Sequence, residues 1–445
     1  MKLTKVSLAA LVALGAFSSV ASATPLEEAI KNVDLSGFAR YRYTNDFIKN
    51  SKVNDTAKGS GAGHAFRMET AFKAAIDDNF FGVLRLRYSA TDGSGDNAGA
   101  GTDKTDTTGT FGVYEMYLGY KVADTTITAG KQLVKGFFID SDIAGTGLKV
   151  VSTDVPGLTL TAAAYDAIDN DAEIDRNAPA APGAVGTPKK DAFGHIKYKA
   201  KSPDIDGPLL SRLGSDEFSD AAGNIYNLGA MGNYDPVSFK VAITNIQEVA
   251  TLYGTEAGVS FNVTDDVNLN LKGQYAYSDS DHKKVADATF WAVQAGTKLF
   301  GAKLNAGYLD FDAKNKNNDA KNKDKIAFTS IDGNGELINP TKILNGVMSG
   351  GSQYYNNIKG NNDYWFVNAG YDIDKFGFGA GYTQGKGTSY ALGKERAKRN
   401  EWSLDASYKY SKKLTFLSWY AAAKDKKDGE SYKQNRIRFE AKYSF

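Results

Sequence analysis

From Val33 to Phe445 the sequence keeps returning to alternation with period two, the spacing that puts successive side chains on opposite faces of a strand. At the C-terminal end Ile437, Phe439, Ala441, Tyr443 and Phe445 share one face, and Arg436, Arg438, Glu440, Lys442 and Ser444 the other. Near the start, Ala39, Tyr41 and Tyr43 alternate with Phe38, Arg40 and Arg42. In 112–120 the same reading puts Tyr114, Met116, Leu118 and Tyr120 together. Such runs begin 18 times, near 33, 64, 80, 110, 125, 145, 158, 223, 237, 253, 267, 287, 302, 361, 376, 399, 414 and 434. Each is about 8 to 13 residues long, which matches the 9–11 that a tilted strand needs to cross a bilayer.

A soluble sandwich also alternates, so the connections carry the next step. They switch between two kinds. The short ones include Asp77-Asp78-Asn79, Val122-Ala123-Asp124, Asp235-Pro236, Asp265-Asp266, Ile373-Asp374-Lys375 and Ser411-Lys412-Lys413. The longer ones read as 45–63, 92–109, 133–144, 167–222, 313–360, 386–398 and 424–433; those near 249–252 and 280–286 fit the scheme least well. A sandwich has no reason to sort its loops by length onto opposite ends, whereas an outer-membrane barrel does so. The expected fold is therefore all-β, an 18-stranded antiparallel transmembrane barrel with short periplasmic turns and long extracellular loops. Closure is required because lipid offers no hydrogen bonds to an open sheet edge.

Composition agrees. Tyr (25) and Phe (24) are abundant, Gly (46) far exceeds Pro (9), and there is no Cys, which excludes disulfides, zinc–cysteine sites and thiol catalysis. The three histidines, His64, His195 and His282, share no ligand spacing. A net charge of +1 argues against nucleic-acid binding. Mean hydropathy of −0.39 suits strands that are polar on one face. No stretch approaches the roughly 18 apolar residues of a membrane helix. Tyr41, Tyr43, Tyr88, Tyr120, Tyr308, Tyr371, Tyr382, Tyr408, Tyr410, Tyr420 and Tyr443 lie toward strand ends, at the expected headgroup level. Residues 1–23 read as a secretory signal peptide: Lys2 and Lys5, an apolar run from Val6 to Phe17, then Ala21-Ser22-Ala23, which leaves 24–445 as the barrel.

The segment Thr24-Pro25-Leu26-Glu27-Glu28-Ala29-Ile30-Lys31-Asn32-Val33-Asp34-Leu35-Ser36-Gly37, with Arg40-Tyr41-Arg42-Tyr43 after it, resembles the Campylobacter-type major outer membrane porin family. So do Ala129-Gly130-Lys131-Gln132, Gly145-Thr146-Gly147-Leu148-Lys149-Val150-Val151 and Asp154-Val155-Pro156-Gly157-Leu158-Thr159-Leu160. The resemblance runs end to end, with divergent long loops. It implies a homotrimeric porin for passive diffusion of ions and small hydrophilic solutes, weakly favouring cations, seated among outer-membrane lipids and lipopolysaccharide.

A porin needs a charged constriction rather than a catalytic group. An arginine facing lipid at the midplane costs about 2–4 kcal/mol, so period two sends Arg40, Arg42, Arg436 and Arg438 into the lumen. Arg67, Lys73, Arg85 and Arg87 extend that wall. Glu69 and Glu115 are inward acids on the same strands. Segment 133–144, with Phe137, Phe138 and Ile139, is too apolar for a free external loop. It is expected to fold inward and place Asp140 and Asp142 in the constriction, across from the arginines. The resemblance also implies calcium held by acids of this loop and the next, for which Asp140, Asp142, Asp169, Asp171, Glu173 and Asp175 offer oxygens, with Asp140, Asp142 and Asp175 as the leading set. A plain acidic, solvated loop is the alternative. The Lys/Asn/Asp-rich 312–325 reads as solvated. Two other functions compete with transport: a surface adhesin using loops 167–222 and 313–360, and an outer-membrane barrel enzyme, for which no nucleophile or acid pair is visible.

Overall fold

The computed structural model describes residues 33–50, 59–95, 111–139, 142–168, 188–190, 196–198, 223–314, 321, 325–331, 334–344, 361–389 and 395–445. The expected signal segment lies outside them. Among the described residues there are twenty strands: β1 (Val33–Asn50), β2 (Gly59–Ala75), β3 (Phe80–Gly95), β4 (Gly112–Val122), β5 (Thr125–Leu133), β6 (Ala144–Ser152), β7 (Leu158–Ile168), β8 (Pro188–Lys190), β9 (Ile196–Tyr198), β10 (Ile225–Tyr234), β11 (Val237–Ile246), β12 (Ala250–Thr264), β13 (Val267–Ser280), β14 (Ala288–Leu299), β15 (Ala302–Ala313), β16 (Asn361–Ile373), β17 (Phe376–Ser389), β18 (Glu395–Lys409), β19 (Leu414–Lys427) and β20 (Glu430–Ser444). Eighteen of them form one antiparallel sheet, each paired with its neighbour in the chain; β8 and β9 make a separate hairpin inside the β7–β10 connection. β1 pairs with β20 from Phe38↔Ser444 to Asn50↔Tyr432, and this closes the barrel. Gly37 and Phe445 then exchange backbone hydrogen bonds of 3.1 and 3.0 Å.

The short turns gather on one rim and are built by their own side chains. Asp77 Oδ1 accepts from the amides of Asn79 (2.8 Å) and Phe80 (2.7 Å), while Asp154 accepts from the Asp124 amide (2.8 Å) and the Ser152 hydroxyl (2.9 Å). Phe300-Gly301 turns with φ of 48° and 85°, a left-handed pair that matches strand twist. The other rim carries the longer connections, with one correction. Residues 424–433 are not a long loop: β19 and β20 run on to a two-residue turn at Asp428-Gly429, with φ of 47° and 84°. Several strands are also longer than their alternating cores suggest, up to 18 residues in β1 and 17 in β2. The extensions are rich in Gly, Ser, Asn and Lys, which carry no period-two signal.

The outer surface is apolar. On β16, Trp365, Val367 and Tyr371 face out, and Tyr364, Phe366 and Asn368 face in. Trp291–Tyr308, Trp365–Tyr382 and Trp402–Tyr420 form cross-strand pairs, each 5.3 Å between ring centres. Phe376, Tyr408 and Phe416 stack nearer the turn rim. Trp402 of β18 and Tyr410, the residue just past its end, are eight residues apart, about 27 Å along an extended chain, so the aromatic groups bracket a bilayer-sized band.

Val367→Arg puts a guanidinium into hydrocarbon at a cost of about 2–4 kcal/mol, whereas Asn368→Arg, one residue on, points into the lumen. The expected result is loss of the heat-modifiable folded band on semi-native gels for Val367→Arg alone.

Candidate functional site

Period two does most of the placing. On β1 and β20 the inward residues meet rung by rung: Arg42 opposite Glu440, Thr44 opposite Arg438, Asp46 opposite Arg436, and Arg40 opposite Lys442. Arg436 grips Asp46 with two hydrogen bonds (Nε–Oδ1 2.7 Å, Nη2–Oδ2 2.8 Å). Arg42 reaches Glu440 Oε2 through Nε (2.9 Å) and Nη2 (2.8 Å). Arg438 donates from Nε to Thr44 Oγ1 (3.2 Å) and lies over the Trp419 ring at 4.9 Å. Arg40 stands opposite Arg67 on its other side.

The wall continues on β2 and β3. Glu69 accepts from Arg87 Nε at 2.9 Å and lies 3.2 Å from Arg67 Nε, with all three side chains at most 8% exposed. Arg85 Nε meets Glu115 Oε2 at 2.9 Å, and Glu115 Oε1 accepts the Leu133 amide at 3.0 Å. Between β3 and β4 the register jumps from Arg85↔Glu115 to Leu86↔Val113. The extra residue is Tyr114. Period two had set it beside Met116, Leu118 and Tyr120, which face lipid. The bulge turns it inward instead, where it is buried, stacks under the Arg87 guanidinium at 3.2 Å and donates to the Asp142 carbonyl. A bulge leaves no mark in a local pattern, so this residue was not readable.

The segment between β5 and β6 folds into the barrel. Val134, Phe137, Phe138, Ile139 and Ile143 are buried. Phe137 and Phe138 meet edge-on, ring centres 5.0 Å apart, and lie against Gly254 of β12, where any side chain would collide with Phe138 at 2.4 Å. Asp142 was expected to face the arginines across a gap. It binds them directly: Arg67 Nη1 is 2.9 Å away and Arg87 Nη2 3.9 Å. Burial pushes its pKa up, but Arg67, then Arg87 and Arg40, outweigh this and hold the carboxyl below the ordinary carboxylate range. Asp140, Asp169, Asp171, Glu173 and Asp175 lie outside the described residues.

A second inward segment, 325–331 with 334–344, lies inside the stretch 313–360 that the sequence reads as a long extracellular loop. Phe328, Ile331, Leu337, Ile343 and Leu344 are buried within it. Ile331 donates to the Phe138 carbonyl (2.7 Å) and Glu336 to the Phe137 carbonyl (2.9 Å), so the two inward segments are stitched together. Gln274 bridges to Ile338 (2.7 Å) and to the Glu336 carbonyl (2.9 Å), and Lys240 reaches the Glu336 carboxylate at 2.6 Å. Glu401 of β18 accepts the amides of Lys342, Ile343 and Leu344 at 2.6, 2.9 and 2.7 Å. The apolar content that betrayed 133–144 was also present in Ile326-Ala327-Phe328, Leu337-Ile338 and Ile343-Leu344.

The lumen is thus a charged wall on β20, β1, β2 and β3, narrowed by two mutually tied segments. The Campylobacter major outer membrane protein family matches the chain over residues 1–445. The chain belongs to this family. It is a barrel of the bacterial outer membrane. Solved structures similar to it are OpdQ of Pseudomonas aeruginosa (TM-score 0.64, 13% identity, 93% of this chain and 99% of that one), OccK7 (OpdD) of the same organism (0.61, 12%, 92% and 99%) and OccAB4 of Acinetobacter baumannii (0.60, 11%, 92% and 98%). At these identities they speak to fold alone. No curated protein sequence matches the chain.

The calcium ligand set lies, Asp142 apart, outside the described residues; the Asp142 carboxylate is paired with Arg67 and Arg87, and among the described residues no three acids or histidines gather as ligands.

Two outcomes follow. Gly254→Val removes the seat of Phe138 and should unfix the inward segment, giving larger and noisier single-channel current in planar bilayers. A depressed carboxyl contributes its tether fully above the ordinary range near pH ~4 and loses it as pH falls through the lowered value. Lowering the pH through that depressed value should therefore reproduce the noisy state in the wild type, and Asp142→Asn should show it already at neutral pH.

Proposed function

We propose that the protein is a general diffusion porin: a water-filled channel for ions and small hydrophilic solutes, narrowed at the arginine wall. The carrying observation is that wall, where Arg40, Arg42, Arg67, Arg85, Arg87, Arg436 and Arg438 all lie on inward faces, with the seated segment 134–143 beside Arg67 and Arg87. Charged rows of this kind favour polar solutes, order water and exclude apolar ones.

Selectivity is proposed to be weak because the acids are interleaved. Asp46, Glu69, Glu115, Asp142 and Glu440 each meet an arginine at 3.2 Å or less, so little uncompensated positive charge is left to repel cations. A modest cation preference follows once the remaining positive charge is lowered. The proposal includes a homotrimer. In its support, strands β6 to β13 present an apolar concavity of about 650 Å³ among the exposed side chains of Leu228, Val241, Ile243, Tyr253 and Tyr275. Sedimentation in detergent should give three chains per particle, and a monomer would remove that part.

Purified protein should give long-lived, ohmic openings in potassium chloride. The double variant Arg40→Gln with Arg42→Gln should move the reversal potential under a salt gradient toward cations. An unchanged reversal potential would take these two residues out of the constriction.

A further inference from the structure

Along the inner seam of β1 and β20 two arginines are held in closed ion pairs. Arg436 is held by Asp46 and Arg42 by Glu440, each through two nitrogens. Arg438 stands between them on the same face. Its Nε donates to the Thr44 hydroxyl at 3.2 Å, and one face of its guanidinium rests on Trp419 at 4.9 Å. Among the described residues no carboxylate pairs with it, and its two terminal amino groups make no hydrogen bond. The side chain is half-buried on the lumenal face, so these two groups are what it offers to the channel.

The geometry points to Arg438 as a docking post for the carboxylate of a passing solute. Two things support a carboxylate rather than a bare halide. The free edge of a guanidinium is a planar fork that matches the two oxygens of a carboxylate. Thr44 and the Trp419 ring fix the plane, so little side-chain freedom is lost on binding. The closed neighbours Arg42 and Arg436 also set the valency at one site. Small organic monoacids and diacids are therefore the ligand class. Binding must stay weak enough for release, which suits an exposed pair in water rather than a sealed pocket.

This inference rests on the porin reading. It is tested with the full-length protein in planar bilayers under potassium chloride, with sodium succinate added to one side. The wild type should show brief interruptions whose frequency rises with succinate concentration. Arg438→Gln should shorten their mean duration about tenfold, equivalent to ~1.4 kcal/mol. Arg438→Lys, which keeps the charge and removes the fork, should shorten it several-fold and covers the case in which the glutamine variant fails to fold. Lys442→Gln, two rungs away, should change it by less than twofold. Interruptions unchanged in Arg438→Gln or, where that variant does not fold, in Arg438→Lys overturn the docking post. Open wild-type channels indifferent to succinate overturn it too, and leave the porin reading intact. A wild type that conducts nothing sinks the porin reading itself.

Discussion

Lipid has no hydrogen-bond donors or acceptors, and each unsatisfied backbone group left in hydrocarbon costs several kcal/mol. A sheet in a membrane must therefore have no edge. In this protein that requirement is met at one seam, where β1 pairs with β20 over thirteen residue pairs and Gly37 clasps Phe445. The outward greasy face and the inward charged face both follow from the seam being sealed. It sets water on one side of each strand and acyl chains on the other, and period two then sorts the residues.

The same seam supplies the functional wall, because the rungs that close the barrel carry Arg42, Arg436 and Arg438. Charges so close together need partners. Breaking a buried ion pair by removing one side costs about 3–5 kcal/mol, and Arg67, Glu69 and Arg87 are nearly as buried as a core. The inner wall is thus a structural network as well as an electrostatic one. Against it lies an apolar core inside the channel, with Phe138, Phe290, Phe311, Phe328 and Phe366 all fully or nearly fully buried. A barrel of this width cannot fill its interior with strand side chains alone, so loop segments are brought in to do it.

Strand number, the sorting of turns and loops and the inward set of arginines were legible in the sequence, because each depends only on local period and local turn chemistry. The lipid-facing tyrosines were legible for the same reason. Tyr114 was not, since a bulge shifts phase by one residue without changing composition. Asp46, Glu440 and Trp419 lie on readable strands, yet their roles depend on which residue stands opposite, and register across β1 and β20 joins the two ends of the chain. The segment 325–344 was hidden by its charged flanks, where lysines and asparagines read as a solvated loop. Asp142 was placed in the right region with the wrong partner geometry: it touches the arginines instead of facing them.

The clasp between Gly37 and Phe445 finishes the pairing of the opening strand of the barrel with the strand that closes it. Until β1 and β20 meet they are the two borders of the sheet, and neither can enter hydrocarbon with its backbone groups bare. A sheet lacking β20 keeps two raw borders at once. The docking of β20 onto β1 is therefore the step that makes every other strand compatible with the bilayer.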